Sequence, residues 1–217
     1  MQHPHKILKY TLATALGLAA VVVALSLFLY SRQQRLMRES PFIQQIAVAE
    51  QRGDYAELTR TLAEHAGTAT KGESGLIVAW LKRREHDSRF PVLHLLSLYY
   101  YREGRTSPSA EWFSAAALVG RVDAARCGDA TAAQALTVIE MLHGPIKQRL
   151  NAYPEEKARA ARWALDYEER NQSRPVATWI ASHGIKSFGT GSKPLPDAGQ
   201  EVARQRIRAE FEAAFAR

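Results

Sequence analysis

Cysteine is all but absent from this chain. Cys127 stands alone among 217 residues, so no disulfide can close within the chain and no multi-cysteine zinc or iron–sulfur site can assemble. Acid is absent from residues 1–38. The five cations there (Lys6, Lys9, Arg32, Arg35 and Arg38) carry most of the net charge of +7 and leave only +2 for residues 39–217. Nucleic acid is therefore not an expected partner, because it needs cations clustered on the folded body. A strand signal is missing too: valine and isoleucine are scattered rather than alternating. "SFGTGSK" holds glycines and Lys193 but lacks the G-x-x-x-x-G-K-[ST] spacing of a phosphate loop, and no strand precedes it. With 46% apolar and 24% charged residues, the composition is that of a globular protein rather than a disordered one.

One long hydrophobic run is present. Tyr10 to Tyr30, "YTLATALGLAAVVVALSLFLY", contains no charge. As a helix its core, Thr11–Leu29, extends about 30 Å, the thickness of bilayer hydrocarbon. Tyr10 and Tyr30 stand where aromatic rings favour the membrane interface, and Arg32 and Arg35 follow at the head-group level. The run is longer than a signal-peptide core, and "LSLFLYSRQ" offers no small-residue cleavage pattern, so it reads as an uncleaved anchor. Cations on both flanks leave the positive-inside count undecided. The short head, residues 1–10, suits a cytoplasmic stub, which places the rest of the chain across a bacterial inner membrane, in the periplasm.

After a stalk over residues 31–41, the spacing predicts helix upon helix. Tyr55, Leu58, Leu62 and Ala66 recur at helical intervals after a Gly53-Asp54 turn. Proline or serine marks several starts, at Pro91, Pro108 and Pro154, and glycine marks expected stops at Gly67, Gly104, Gly120, Gly144 and Gly184. The fold class expected is all-α, with a helical domain over 42–185 and a Gly/Ser/Pro-rich loop over 186–198. A C-terminal amphipathic helix over 199–217 follows, with Val202, Ile207, Phe211 and Phe215 on one face. That helix either caps the domain or serves a partner or membrane surface.

Trp112, Phe113, Ala116, Ala117, Gly120 and Ala124 fit W-[FY]-x-x-A-A-x-x-G-x-x-x-A, and "LLSLYYYREG" precedes them, similar to L-x-x-x-Y-x-x-G but with three residues rather than two between Tyr100 and Gly104. The stretch from Leu93 to Gly128 resembles a Sel-like repeat, a relative of the tetratricopeptide repeat, and the chain is similar to an α-solenoid built of such hairpins. The resemblance implies that these residues pack helix on helix and that the protein binds another protein on an exposed face. In order and size the chain also resembles the membrane-tethered immunity proteins that neutralise phospholipase-type toxins delivered by type VI secretion. A scaffold or assembly factor of an envelope machine is the alternative this resemblance leaves open. A membrane-bound enzyme with a new helical site is a further one.

Candidate chemistry is thin. Glu140 and His143 form one Glu-x-x-His pair where a di-iron bundle needs two, and are expected to be solvent-facing or capped. Arg84, Glu85, His86 and Asp87 sit at a helix end, where cations have a dipole explanation. Cys127, in an alanine-rich setting, reads as a buried thiol rather than a nucleophile for His65, His94, His143 or His183. No catalytic, cofactor-binding or metal-ligating set is expected. For partner binding the candidates are Tyr99, Tyr100, Tyr101, Arg102, Glu103 and Arg105. Successive helical residues turn by about 100°, so three tyrosines cannot share one core and at least one ring should be partly exposed. Tyrosine and arginine are also typical hot-spot residues.

Overall fold

A computed structural model of the chain describes the backbone of residues 4–188 and 193–215, and the side chains of residues 15–186 and 193–215. The described residues form helices and no strand. They divide into two compact units, residues 1–45 and residues 46–217.

The first unit is dominated by α1 (Pro4–Glu39), which runs unbroken through the expected head, anchor and most of the stalk. It is the one helix among the described residues long and apolar enough to cross a membrane. From residue 15 to Tyr30 its apolar side chains stand exposed all round, among them Leu16, Val22, Leu25 and Phe28, whereas Met37 near its end is buried. A helix apolar on every face has no use for water and is suited to lipid. Its two described serine hydroxyls are satisfied within the helix: Ser26 donates to the Val22 carbonyl at 2.8 Å and Ser31 to that of Phe28 at 2.9 Å. That is how polar side chains are tolerated in hydrocarbon. Tyr30 and Arg32 are exposed on the last turns, and Arg35 lies 3.8 Å from Glu39 in an exposed pair. The Tyr10 side chain lies outside the described residues. The helix stops at Ser40-Pro41, where α2 (Pro41–Gln51) begins with proline in its first position.

In the second unit the caps follow ordinary chemistry. Asp54 accepts the Glu57 amide at 3.0 Å to start α3 (Tyr55–Thr68), and Thr70 with Glu73 forms a capping box at the head of α4 (Lys71–Lys82). Leu58, Leu62 and Ala66 are buried, as their spacing requires. Then come α5 (Val92–Arg102) and α6 (Thr106–Arg126). These two are stitched by a reciprocal pair: Ser97 Oγ donates to the Ser109 carbonyl and Ser109 Oγ to that of Ser97, each at 2.9 Å. Both hydroxyls are buried, and each cancels the desolvation cost of the other's carbonyl.

The core is built around α6. Residues 112–120 are all buried, and α5, α9 (Pro154–Arg170) and α11 (Asp197–Phe215) all pack on this helix. Against α9 the contact is alanine on alanine, with Ala160, Ala161 and Ala164 almost wholly covered. Small side chains bring the backbones close, and Trp112 fills the remaining wedge against Trp163 and Tyr167, with ring centroids 5.1 and 5.2 Å away.

Several expected boundaries move. Gly120 does not end its helix, which continues six residues to Arg126. A Cβ on Gly120 would stand 2.5 Å from Leu136 Cδ2, so the glycine serves close approach rather than termination. The true break is Gly128, at φ +70°. It is followed by a 3-10 turn over Ala130–Ala133 and the short helix α7 (Gln134–Met141). Gly144 likewise begins a helix instead of ending one: α8 (Gly144–Ala152) was not foreseen. α10 is a single turn, Thr178–Ala181, followed by a 3-10 turn over Ile185–Phe188. On α11, Val202 is 72% exposed, whereas Ala203, Arg204 and Phe211 are buried. Val202 and Ile207 are five residues apart and so about 140° apart on the helix, too far to share a face.

Candidate interaction surface

The last turn of α5 distributes its three tyrosines in three directions. Tyr99 points inward, donating to the Leu62 carbonyl at 2.8 Å with His65 Nδ1 3.2 Å away. Burial pushes its phenol pKa up. Tyr100 is also buried, and the Arg105 guanidinium lies over its ring at 4.6 Å. Tyr101 is 36% exposed and faces outward. Gly104, at φ +77°, then turns the chain into α6.

The charged members of the run also separate. Arg102 donates to the Gly67 carbonyl at 2.5 Å, tying α5 to the end of α3. Glu103 lies against the start of α4, its Oε1 2.9 Å from where a Cβ on Gly75 would sit, and pairs with Arg105 at 3.5 Å. Tyr99 and Tyr100 are therefore packing residues, Glu103 is half-buried beside Arg105, and Arg102 is exposed with one guanidinium nitrogen tied to the α3 end. Tyr101 and Arg105 keep exposed surface.

The structure adds residues that the sequence reading missed. Arg149 on α8 carries its guanidinium over the ring of Tyr153 at 4.9 Å and bonds Glu156 at 2.8 Å. The Glu156 bond raises the Arg149 pKa. Tyr153 is 55% exposed. Nearby, Arg159 on α9 donates to Ser107 Oγ on α6 at 3.3 Å. Arg149 and Tyr153 thus form an aromatic and cationic patch where α8 passes into α9, and Tyr101 is exposed at the end of α5. An arginine stacked on tyrosine and pinned by a carboxylate loses little side-chain freedom when a partner covers it. The i, i+4 spacing of Arg149 and Tyr153 was a readable signal, lost because α8 itself was not recognised.

The other candidate groups are placed as follows. Trp112, Phe113, Ala116, Ala117 and Ala124 are buried in the α6 seams. Cys127 is buried, its thiol donating to the Ala124 carbonyl at 3.0 Å. Glu140 binds Arg121 at 3.5 Å and Lys147 at 3.3 Å. His143 is not solvent-facing but fully buried: apolar helices close over it, and its ring packs 5.2 Å from both His94 and Phe113. Arg84 makes a two-pronged bond to Glu50, with both distances 2.6 Å, and lies over Trp80 at 3.6 Å. Among the described residues no group of three or more His, Cys, Asp or Glu side chains could hold a metal ion.

These features define an all-helical protein with one helix suited to a membrane. Compared with family models, with curated proteins and with solved structures, the chain finds no match.

Proposed function

We propose that the chain is a membrane-anchored protein-binding module. In this reading α1 spans a bacterial inner membrane as an uncleaved anchor, and residues 46–217 lie in the periplasm. The single observation that carries the binding reading is the Arg149–Tyr153 stack at the surface, with Tyr101 exposed at the end of α5; tyrosine and arginine dominate the energy of protein interfaces. The repeat reading is supported by α5 and α6, two helices packed on each other and joined by the short turn at Glu103–Arg105. The later helices wrap back on α6, so the solenoid character is local.

In its sharpest form the proposal is an immunity protein that blocks a phospholipase-type toxin delivered by type VI secretion. Inhibition would come from covering the mouth of the toxin's active site with the tyrosine–arginine surface. This form rests on the resemblance in order and size. Co-purification from the native host, comparing wild type with Tyr101→Ala/Arg149→Ala, tests it. A lipase held and inhibited by wild type and released by the variant is the expected result. A partner retained equally by both proteins would move the binding surface elsewhere. A reporter fused after Phe215 that is active only in the cytoplasm would overturn the periplasmic placement.

A further inference from the structure

A pocket of about 260 Å³ opens between α6, α8 and α11, on residues that the interaction surface does not use. Its floor is apolar: Phe113 and Ala117 from α6, Leu150 from α8 and Phe211 from α11. All four are at least nine-tenths buried. Phe215 stacks on Phe211 with centroids 4.5 Å apart and forms one wall. A cavity of about 150 Å³ is enough to hold benzene, so this one accommodates a ring or short chain with a head group attached.

The rim is charged, and unequally so. Arg121, Lys147 and Lys157 line it with a single carboxylate, Glu140, which leaves the mouth two charges positive. Glu140 is shared between Arg121 and Lys147. Lys157 rests over the Phe215 ring at 4.8 Å and, among the described residues, has no carboxylate within ion-pair distance. Glu210 lines a neighbouring hollow beyond Phe211 and Phe215, not this one. An ammonium held at the lip of an apolar pocket, without an ion pair among the described residues, favours a ligand that brings a counter-ion.

We propose that this pocket binds a small amphiphilic anion: a carboxylate or phosphate head on an apolar chain or ring. The head meets Lys157 and the Arg121–Lys147 pair, and the apolar part lies on Phe113, Leu150 and Phe211. The site is separate from the interaction surface, and it stands or falls independently of the protein-binding reading.

The test is calorimetric titration of the full chain in nanodiscs of neutral phosphatidylcholine, with empty nanodiscs as the baseline for lipid partition. Octanoate, octyl phosphate, octan-1-ol and acetate are the probes. Octanoate or octyl phosphate is expected to bind a saturable site at least about tenfold tighter than octan-1-ol or acetate. Which of the two anions binds tighter identifies the head group, and either order upholds the site. Lys157→Gln should weaken the anion about fivefold, the loss of one partly exposed charge contact. Asn151→Trp, an exposed change at the mouth, should abolish binding while the thermal melt stays unchanged. Equal affinity for octan-1-ol and octanoate overturns the proposal, since the head is then not read. Octanoate binding that survives both substitutions unaltered overturns it as well.

Discussion

Arg204 on α11 and Glu168 on α9 meet in a two-pronged ion pair, Nε to Oε1 at 2.8 Å and Nη2 to Oε2 at 3.1 Å. Both side chains are almost wholly buried, 4% and 5% exposed. Arg208 adds a second bond to Glu168 from the next turn and lies 3.3 Å from Glu169. Glu169 and Glu201 each accept one further guanidinium proton of Arg204. The Glu168 bond holds Arg204 firmly protonated. So the amphipathic C-terminal helix is a cap, and its hold on α9 is ionic where the sequence pointed to an apolar face.

A buried pair gains little over a hydrophobic one, but losing Arg204 leaves the buried Glu168 with Arg208 as its one remaining cation. Arg204→Ala is therefore expected to cost about 2–3 kcal/mol of unfolding free energy, less than the loss of a buried charge's sole partner. Arg204→Lys should recover only part of this, because an ammonium cannot span both carboxylate oxygens. Arg204→Met combined with Glu168→Met should recover most of it. Denaturant titrations of the four proteins check the order, and an Arg204→Ala loss below about 1 kcal/mol, the range of exposed pairs, would contradict the burial argument.

Gly120 gives a prediction whose sign depends on its neighbour. In a helix interior, Gly→Ala ordinarily gains about 1 kcal/mol. Here the new methyl would meet Leu136, which is itself buried, so Gly120→Ala should cost about 1–3 kcal/mol by overpacking. In a Leu136→Ala background the same substitution should become neutral or stabilising. A loss that persists in that background would mean that backbone strain, not close approach, fixes the glycine.

These two cases show what was legible. Helix existence and several starts were: Asp54 and Pro154 act within one turn of chain, so their signal is local. The alanine-rich motif around Trp112 did mark a packing seam. Its closest partner, however, is α9, some fifty residues on, and no local spacing reports that. Gly120 looked like a stop because glycine usually is one, and its actual role depends on Leu136 arriving from another element. The tyrosine run was half readable: the 100° rotation forced one ring outward, but only tertiary packing decided that it was Tyr101. Arg149 and Tyr153 were missed because Gly144-Pro145 reads as a break, whereas proline early in a helix is favourable.

Tyr99 and Tyr101 should respond oppositely to substitution. Tyr99→Phe leaves the Leu62 carbonyl without its buried donor and is expected to cost about 1–2 kcal/mol. Tyr101→Ala removes an exposed ring and should change stability by no more than about 0.5 kcal/mol, while weakening the partner. Thermal melts alongside co-purification separate the two. If Tyr101→Ala destabilises as much as Tyr99→Phe, its ring is structural and the surface loses its main anchor.

The buried histidines make stability depend on pH in a definite direction. His94 and His143 pack edge to face with centroids 5.2 Å apart. The His143 ring nitrogens lie 3.1 and 3.0 Å from the Ile139 and His94 carbonyls, whereas neither His94 ring nitrogen has a hydrogen-bond partner among the described residues. Burial, reinforced by His143 and Arg121, holds the His94 pKa well below its usual value. Burial also lowers that of His143, against the pull of the two carbonyls, and it lowers that of His65. In the folded protein these rings stay neutral as pH falls, while in the unfolded chain they take up protons near pH 6.5. The unfolded state then binds more protons, so stability must drop below about pH 6.5, and each such histidine contributes up to about 1.4 kcal/mol per pH unit. His94→Phe keeps an aromatic ring against His143 and Trp179 but removes one titration. Its unfolding free energy should therefore fall less steeply than that of wild type between about pH 6.5 and 5.5. Parallel slopes in the two proteins would mean that His94 protonates in place, and that its surroundings are more polar than the packing around it allows.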